Sequence, residues 1–259
     1  MSTALGLRWA DRAFGSDADT LREVITRALA AACSQSQGAQ DVSRARAKYP
    51  FGSSLWTLQF QELADGIALE MPDRHRLERL DNYSLAIVNG YVLYPVRAVS
   101  GMLAKARDAK VRKPVSKFRR QMFCALGPQP FQAGLWPEQH AEKAATDMRT
   151  LMTRLGPNAR LAVISYVCEY KAGLTDMYWG EAKLNFRDGS LTFHEGEGLP
   201  VAPAANANFV QRGDLASARQ SRAFDDGDLP EIALGVNAHH QPPVTEPEPS
   251  KPHTSDEEQ

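Results

Sequence analysis

The spacing of apolar residues predicts a helical first third of the chain. Thr20 and Glu23 form a capping box, and the apolar residues that follow recur at intervals of three and four, which predicts a helix over roughly 19–35. An Ala- and Arg-rich stretch, 39–48, predicts a second helix that ends before a proline. A third helix is predicted over about 53–67, where a serine can cap a run with the same periodicity.

A β-hairpin is predicted next. Two apolar segments rich in aromatic and β-branched residues, 83–88 and 91–94, are separated only by Asn89-Gly90. A type I′ turn needs positive φ at both central residues, and Asn-Gly adopts that conformation most readily. The two segments are therefore expected to pair as antiparallel strands.

The second half of the predicted domain contains helices and then strands. A helix is expected near Lys117, and another, with a proline at its first position, covers about 137–155. A nearly continuous apolar strand at 161–170, an alternating strand at 178–186 and a short strand at 191–193 follow, and a turn joins the last two. Runs of helices and runs of strands favour an α+β fold, here with one mainly antiparallel sheet.

The formal net charge of −1 conceals two oppositely charged segments. Residues 1–200 contain 26 Lys and Arg and 21 Asp and Glu, a net charge of +5, whereas residues 201–259 contain 4 and 10, a net charge of −6. Seven of the sixteen prolines also lie in the second segment. Such a composition buries too little apolar surface to offset chain ordering. We therefore expect a single globular domain over 1–200 and a disordered, acidic, Pro-rich tail over 201–259.

Composition and cysteine usage limit the class of protein further. The 43% of hydrophobic residues suffices for a core, which excludes a wholly disordered chain. Three cysteines, Cys33, Cys124 and Cys168, are too few and too far apart for a zinc ribbon or a disulfide framework, so we expect buried thiols in a reducing compartment. The first residues lack the long apolar stretch that a secretory signal requires, and no apolar run approaches 18 residues. The sequence predicts a soluble, cytoplasmic protein with no membrane segment.

The main functional signal is a basic stretch at residues 105–120, which contains eight basic residues and one acidic residue. Pro114 interrupts it, so we expect a loop that leads into a helix. Cations at this density can bind phosphates, with an affinity that falls steeply as salt is added. The candidate anion-binding residues are Lys105, Lys110, Arg112, Lys113, Lys117, Arg119 and Arg120. The alternative is a solvated connector, or one that the acidic tail of the same molecule neutralises.

The leading hypothesis is a non-enzymatic regulatory or interaction protein that needs no cofactor. Its partner would be nucleic acid or an acidic protein surface bound at 105–120, and the tail would modulate access to that stretch. No motif of a known nucleic-acid-binding fold accompanies the stretch. The sequence leaves the identity of the partner open.

Two Glu-x-Lys triplets suggest a different function. Glu169-Tyr-Lys171 ends the long apolar strand, Glu181-Ala-Lys183 lies in the next strand, and Asp176 lies between them. This short pattern resembles the restriction-endonuclease-like superfamily, in which carboxylates hold Mg²⁺ and the lysine positions or activates the attacking water. The resemblance implies, as an alternative, a Mg²⁺-dependent phosphodiesterase or nuclease that uses these five residues. The predicted strand order departs from that superfamily's core, and a solvated strand face produces the same triplets.

A third possibility is a small-molecule binder near Trp179. Gly180 lies within a predicted strand, where glycine often marks a bulge or the close approach of another backbone. Tyr170, Tyr178 and Trp179 are close in sequence and can line a pocket. The same residues can instead form an aromatic cluster that supports the sheet.

Overall fold

A computed structural model describes four segments of the chain, and all of them belong to one unit, Met1–Ala207. The described residues are 8–80, 83–98, 105–128 and 138–201, without the side chains of 138–145. The acidic tail predicted for 201–259 lies outside the described residues except for its first residue, so the boundary predicted at 200 stays a prediction.

The described part of the chain forms five α-helices and six strands. The helices are α1 (Trp9–Phe14), α2 (Ala18–Ser43), α3 (Tyr49–Glu70), α4 (Lys117–Leu126) and α5 (Glu138–Leu155). The strands are β1 (His75–Leu80), β2 (Tyr83–Val88), β3 (Tyr91–Arg97), β4 (Arg160–Glu169), β5 (Gly173–Leu184) and β6 (Leu191–Leu199).

The six strands form one sheet in sequence order, β1 to β6. Every neighbouring pair is antiparallel except β3 and β4, which run parallel. A parallel pair needs a long crossover, and this one contains α4, α5 and the basic stretch. The α+β class and the mainly antiparallel sheet predicted from the sequence are confirmed.

The hairpin and the central strand also match the predictions. Asn89 and Gly90 both have positive φ, 48° and 77°, and join β2 to β3. Strand β4 is buried along residues 161–168 because helices and loops cover both faces of the sheet. One core lies between the sheet and α1 to α3, and a second lies on the opposite face, where α4, α5 and the basic stretch pack.

The separate helix predicted at 39–48 is wrong. Helix α2 continues to Ser43, a loop follows, and α3 begins at Tyr49 with Pro50 in its first turn, where the missing N–H of proline costs no hydrogen bond. The Gln40 side chain fixes the loop: its amide donates to the carbonyls of Ala45 and Ala47, and its oxygen accepts from a backbone N–H of α3.

The prediction of three unpaired thiols is also wrong. Cys33 of α2 and Cys168 of β4 form a disulfide between a helix and the central strand, and only Cys124 is a free, buried thiol. Burial raises the pKa of the Cys124 thiol, which makes it a poor nucleophile. Among the described residues, no helix has both the length and the apolar character needed to cross a membrane.

Candidate anion-binding site

The basic connector, residues 105–120, comprises an irregular segment and the first turn of α4. Its small apolar side chains point into the second core: Ala106, Ala109, Val111 and Val115 are all at most 8% exposed. The basic residues between them are directed outward. The sequence shows the charge of this segment, but the alternation, which places the cations of the loop on one side, follows from its packing.

Residue Ala106 fixes the connector to the sheet through both of its backbone polar groups. Its N–H donates to Asp176 Oδ2 of β5 at 2.8 Å, and its carbonyl accepts from the Ser165 hydroxyl of β4 at 2.6 Å. Ser165 is completely buried, so this polar contact is shielded from water. The start of the connector is therefore held at the centre of the sheet.

A second set of backbone bonds joins the connector to the β5–β6 turn. The Leu191 N–H donates to the Ala109 carbonyl at 2.9 Å, and the Val111 N–H donates to the Gly189 carbonyl at 2.8 Å. Gly189 has φ of +79°, and a Cβ there would lie 2.7 Å from the Val111 carbonyl oxygen. Only glycine fits this turn, because any side chain would displace the connector.

Six basic side chains of the connector are exposed, and four of them surround one depression. The open depression has a volume of about 460 Å³, and two acidic residues, Asp108 and Asp188, also line it. Hydrogen bonds from Ser190 lower the pKa of Asp188, and the positive charge of the nearby Lys110 ammonium lowers it as well. The exposed basic residues are Lys105, Arg107, Lys110, Arg112, Lys113 and Lys117.

The last three candidate residues make contacts within the protein. Lys117 forms an ion pair with Asp147 at 2.8 Å. Arg119 is only 7% exposed, and Arg120 places its guanidinium carbon 5.4 Å from the centre of the Phe186 ring. The structure thus brings together four of the seven predicted residues, Lys105, Lys110, Arg112 and Lys113, and the other three make contacts within the protein.

Two arginines near the depression were not among the predicted site residues. Arg107 is exposed within the connector, and its charge alone was sufficient to include it. Arg187 is exposed in the β5–β6 turn, where its carbonyl accepts a hydrogen bond from Lys113 Nζ at 3.4 Å. Its proximity depends on how the connector pairs with the turn, which no local sequence signal reveals.

The residues of the Glu-x-Lys alternative are engaged at separate places. Asp176 accepts the Ala106 N–H, whereas Glu181 accepts from the Tyr91 hydroxyl at 2.9 Å and lies 3.6 Å from Arg160. Burial raises the pKa of Tyr91.

Of the remaining three residues in that alternative, Glu169 is half-buried at the end of β4, Lys171 is exposed in the following turn, and Lys183 is half-buried on β5. Among the described residues, no group of three or more His, Cys, Asp or Glu side chains is placed to hold a metal ion. The structure therefore shows no described cluster that can act as the Mg²⁺ site of a nuclease.

Trp179 belongs to the core. It is fully buried, with its ring centroid 5.1 Å from that of Trp9 and 5.3 Å from that of Phe14. Its indole N–H donates to Glu197, which also accepts from the Arg22 guanidinium. The neighbouring glycine marks a close backbone approach, because a Cβ at that position would lie 2.0 Å from a β6 carbonyl oxygen. The aromatic residues here support the sheet.

Comparison with known proteins identifies no relative. No protein family, no curated protein and no solved structure matches this chain. The functional conclusions therefore depend on the geometry of the basic connector and on the chemistry of its side chains.

Proposed function

We propose that this chain is a non-enzymatic regulatory or interaction protein that binds an anionic partner through the basic connector. The observation that carries the proposal is the depression at residues 105–113, where Lys105, Lys110, Arg112 and Lys113 surround one concave surface. Cations grouped in this way attract phosphate or carboxylate groups, and each contact that replaces a counterion adds to affinity.

The fixed backbone of the connector supports the same function. A flexible basic loop loses conformational entropy when it binds, which reduces its affinity. Here the hydrogen bonds of Ala106 to Asp176 and Ser165, together with the backbone bonds to the β5–β6 turn, already hold the backbone. Binding therefore orders only the side chains, so more of the electrostatic attraction contributes to affinity.

The acidic tail is the second part of the proposal. Residues 201–259 carry a net charge of −6 and are tethered to the domain that carries the connector. A tethered anionic segment competes with an external anion at a high effective concentration. In this proposal the tail lowers affinity for the external partner, and its removal raises that affinity.

A cytoplasmic location stays a prediction. The Cys33–Cys168 disulfide weighs against it, because disulfides persist mainly in oxidising compartments. The test is the intact mass of protein isolated from its source organism under thiol-blocking conditions. Three blocked thiols would agree with a cytoplasmic location, and one blocked thiol would agree with an oxidising compartment.

The test of the proposed function is the salt dependence of binding to nucleic acid. Fluorescence anisotropy with labelled DNA and RNA, measured from low to moderate salt, should show an affinity that falls steeply, because cations on the connector replace counterions of the phosphates. Binding that stays constant over this range would contradict the proposal. Nothing in the described residues favours the nuclease or a ligand pocket at Trp179, and we propose neither.

A further inference from the structure

Trp56 is an exposed aromatic side chain beside the end of the connector. It lies on α3 and is 38% exposed, whereas Trp9 and Trp179 are 5% and 0% exposed. Its ring contacts Tyr83 of β2, with 5.8 Å between ring centroids, and Tyr83 stacks on Phe118 of α4 at 4.5 Å. These neighbours hold the indole in one place although more than a third of the residue is in contact with solvent.

Beside Trp56 lies a buried guanidinium group. The Arg119 guanidinium carbon is 5.6 Å from the centre of the Trp56 ring, and the residue is only 7% exposed. Its Nε atom is buried and has no hydrogen-bond partner within the described part of the chain. The same guanidinium hydrogen-bonds the Tyr94 hydroxyl, so its charge is held within the protein and fixes one side of the indole.

We propose that the anionic partner is a single-stranded nucleic acid, with phosphates on the exposed cations of the connector and one base stacked on Trp56. This inference rests on the proposed function, since it identifies the partner of that same surface. Lys113 and Arg119 are six positions apart in one segment, so the exposed cations and the indole that Arg119 contacts lie near the two ends of a short stretch of chain.

The exposed indole discriminates among anionic partners. Every nucleobase has a flat face that stacks on an aromatic ring, and in a single strand that face is accessible. In a duplex the bases are already stacked on one another, so the indole gains nothing from them. A polyanion without bases can bind the lysines but has nothing to stack on the indole. The aromatic contact therefore favours a single strand over a duplex and over a polyanion without bases.

The test compares Trp56→Ala with Tyr49→Ala. Tyr49 is a matched control because it is an aromatic residue of the same helix and is 79% exposed. Affinity for a single-stranded oligonucleotide at constant salt should fall roughly 5- to 150-fold in Trp56→Ala, the usual effect of losing one stacked base. It should not change in Tyr49→Ala. Affinity for a duplex and for inorganic polyphosphate should be the same in both variants and the parent.

Fluorescence provides a readout that does not depend on the folding of the alanine variant. Trp136 lies outside the described residues and is replaced by Phe in this experiment. The exposed Trp56 should then be quenched when the oligonucleotide binds, and a further Trp56→Phe change should remove the quenching while binding is kept.

Two results would overturn this inference without contradicting binding at the connector. One is steep salt dependence with equal affinities of Trp56→Ala and Tyr49→Ala. The other is equal affinity of the protein for the oligonucleotide and for polyphosphate. Absence of salt-dependent binding to every polyanion would instead contradict the proposed function itself.

Discussion

Neutralising the exposed lysines and arginines of the connector is the perturbation with the most quantitative outcome. The variant combines Lys110→Gln, Arg112→Gln and Lys113→Gln, three exposed positions around the depression. Their side chains contribute little to the core, so the free energy of unfolding should change by less than about 0.5 kcal/mol for each residue. Loss of binding can then be attributed to loss of charge.

The expected size of the effect follows from counterion release. Each phosphate contact on a single strand contributes about −0.7 to the slope of log affinity against log salt. Contacts from the five exposed cations of residues 105–113 therefore give a slope of roughly −3.5, and the two that remain in the variant give roughly −1.4. Between about 50 and 200 mM salt, affinity should therefore fall about 130-fold for the parent and about 7-fold for the variant.

The assay is fluorescence anisotropy across this salt range. Its control carries Arg44→Gln, Arg46→Gln and Lys48→Gln, three exposed cations of the α2–α3 loop, which change the net charge by the same amount. The control should keep the slope of the parent. Equal slopes for the two triple variants would refute the assignment of binding to the connector, because net charge alone would then explain the affinity.

Three further predictions concern the structure around the site. Asp176→Ala should lower the free energy of unfolding in urea by about 1–3 kcal/mol because the Ala106 N–H loses its acceptor. Asp176→Asn keeps an oxygen at this position and should lower it clearly less. Equal losses for the two variants would contradict a stabilising role for this hydrogen bond. Burial raises the pKa of Tyr166 and Tyr94 above the usual value near 10, so their contribution to stability is complete below about pH 10 and is lost as pH rises further. Thermal unfolding at alkaline pH should show this loss, and Tyr166→Phe should reduce it; an unchanged profile would contradict the assignment. Protein prepared without reductant and then denatured should titrate one thiol, that of Cys124, and three thiols would show that the disulfide is absent.

Local signals explain why much of the fold was predictable. The turn at Asn89-Gly90 depends on the conformational preferences of two residues, and the strand at 161–168 is apolar because both its faces are buried. Strand β1, with the sequence HRLERL, was missed because charged residues at the sheet edge leave no alternation of apolar positions. Helix α1 was missed because six residues are too few for a periodic pattern.

The candidate site was predictable in charge but not in geometry. The basic stretch was evident from composition, yet the burial of Arg119 and the pairing of Lys117 depend on α3 and α5, which are distant in sequence. Asp176 has the side chain of a metal ligand, and sequence alone cannot show that a backbone N–H occupies one of its oxygens. Such long-range contacts are set by tertiary packing.

The most direct test of the central claim is amine labelling of the complex with a single-stranded oligonucleotide, read out lysine by lysine by mass spectrometry. Lys105, Lys110 and Lys113 surround the depression, whereas the exposed Lys48 and Lys171 lie in other loops. The proposal predicts that the first three lose reactivity when the oligonucleotide binds and that the last two keep it. Equal protection of all five, or protection of Lys48 and Lys171 alone, would contradict it.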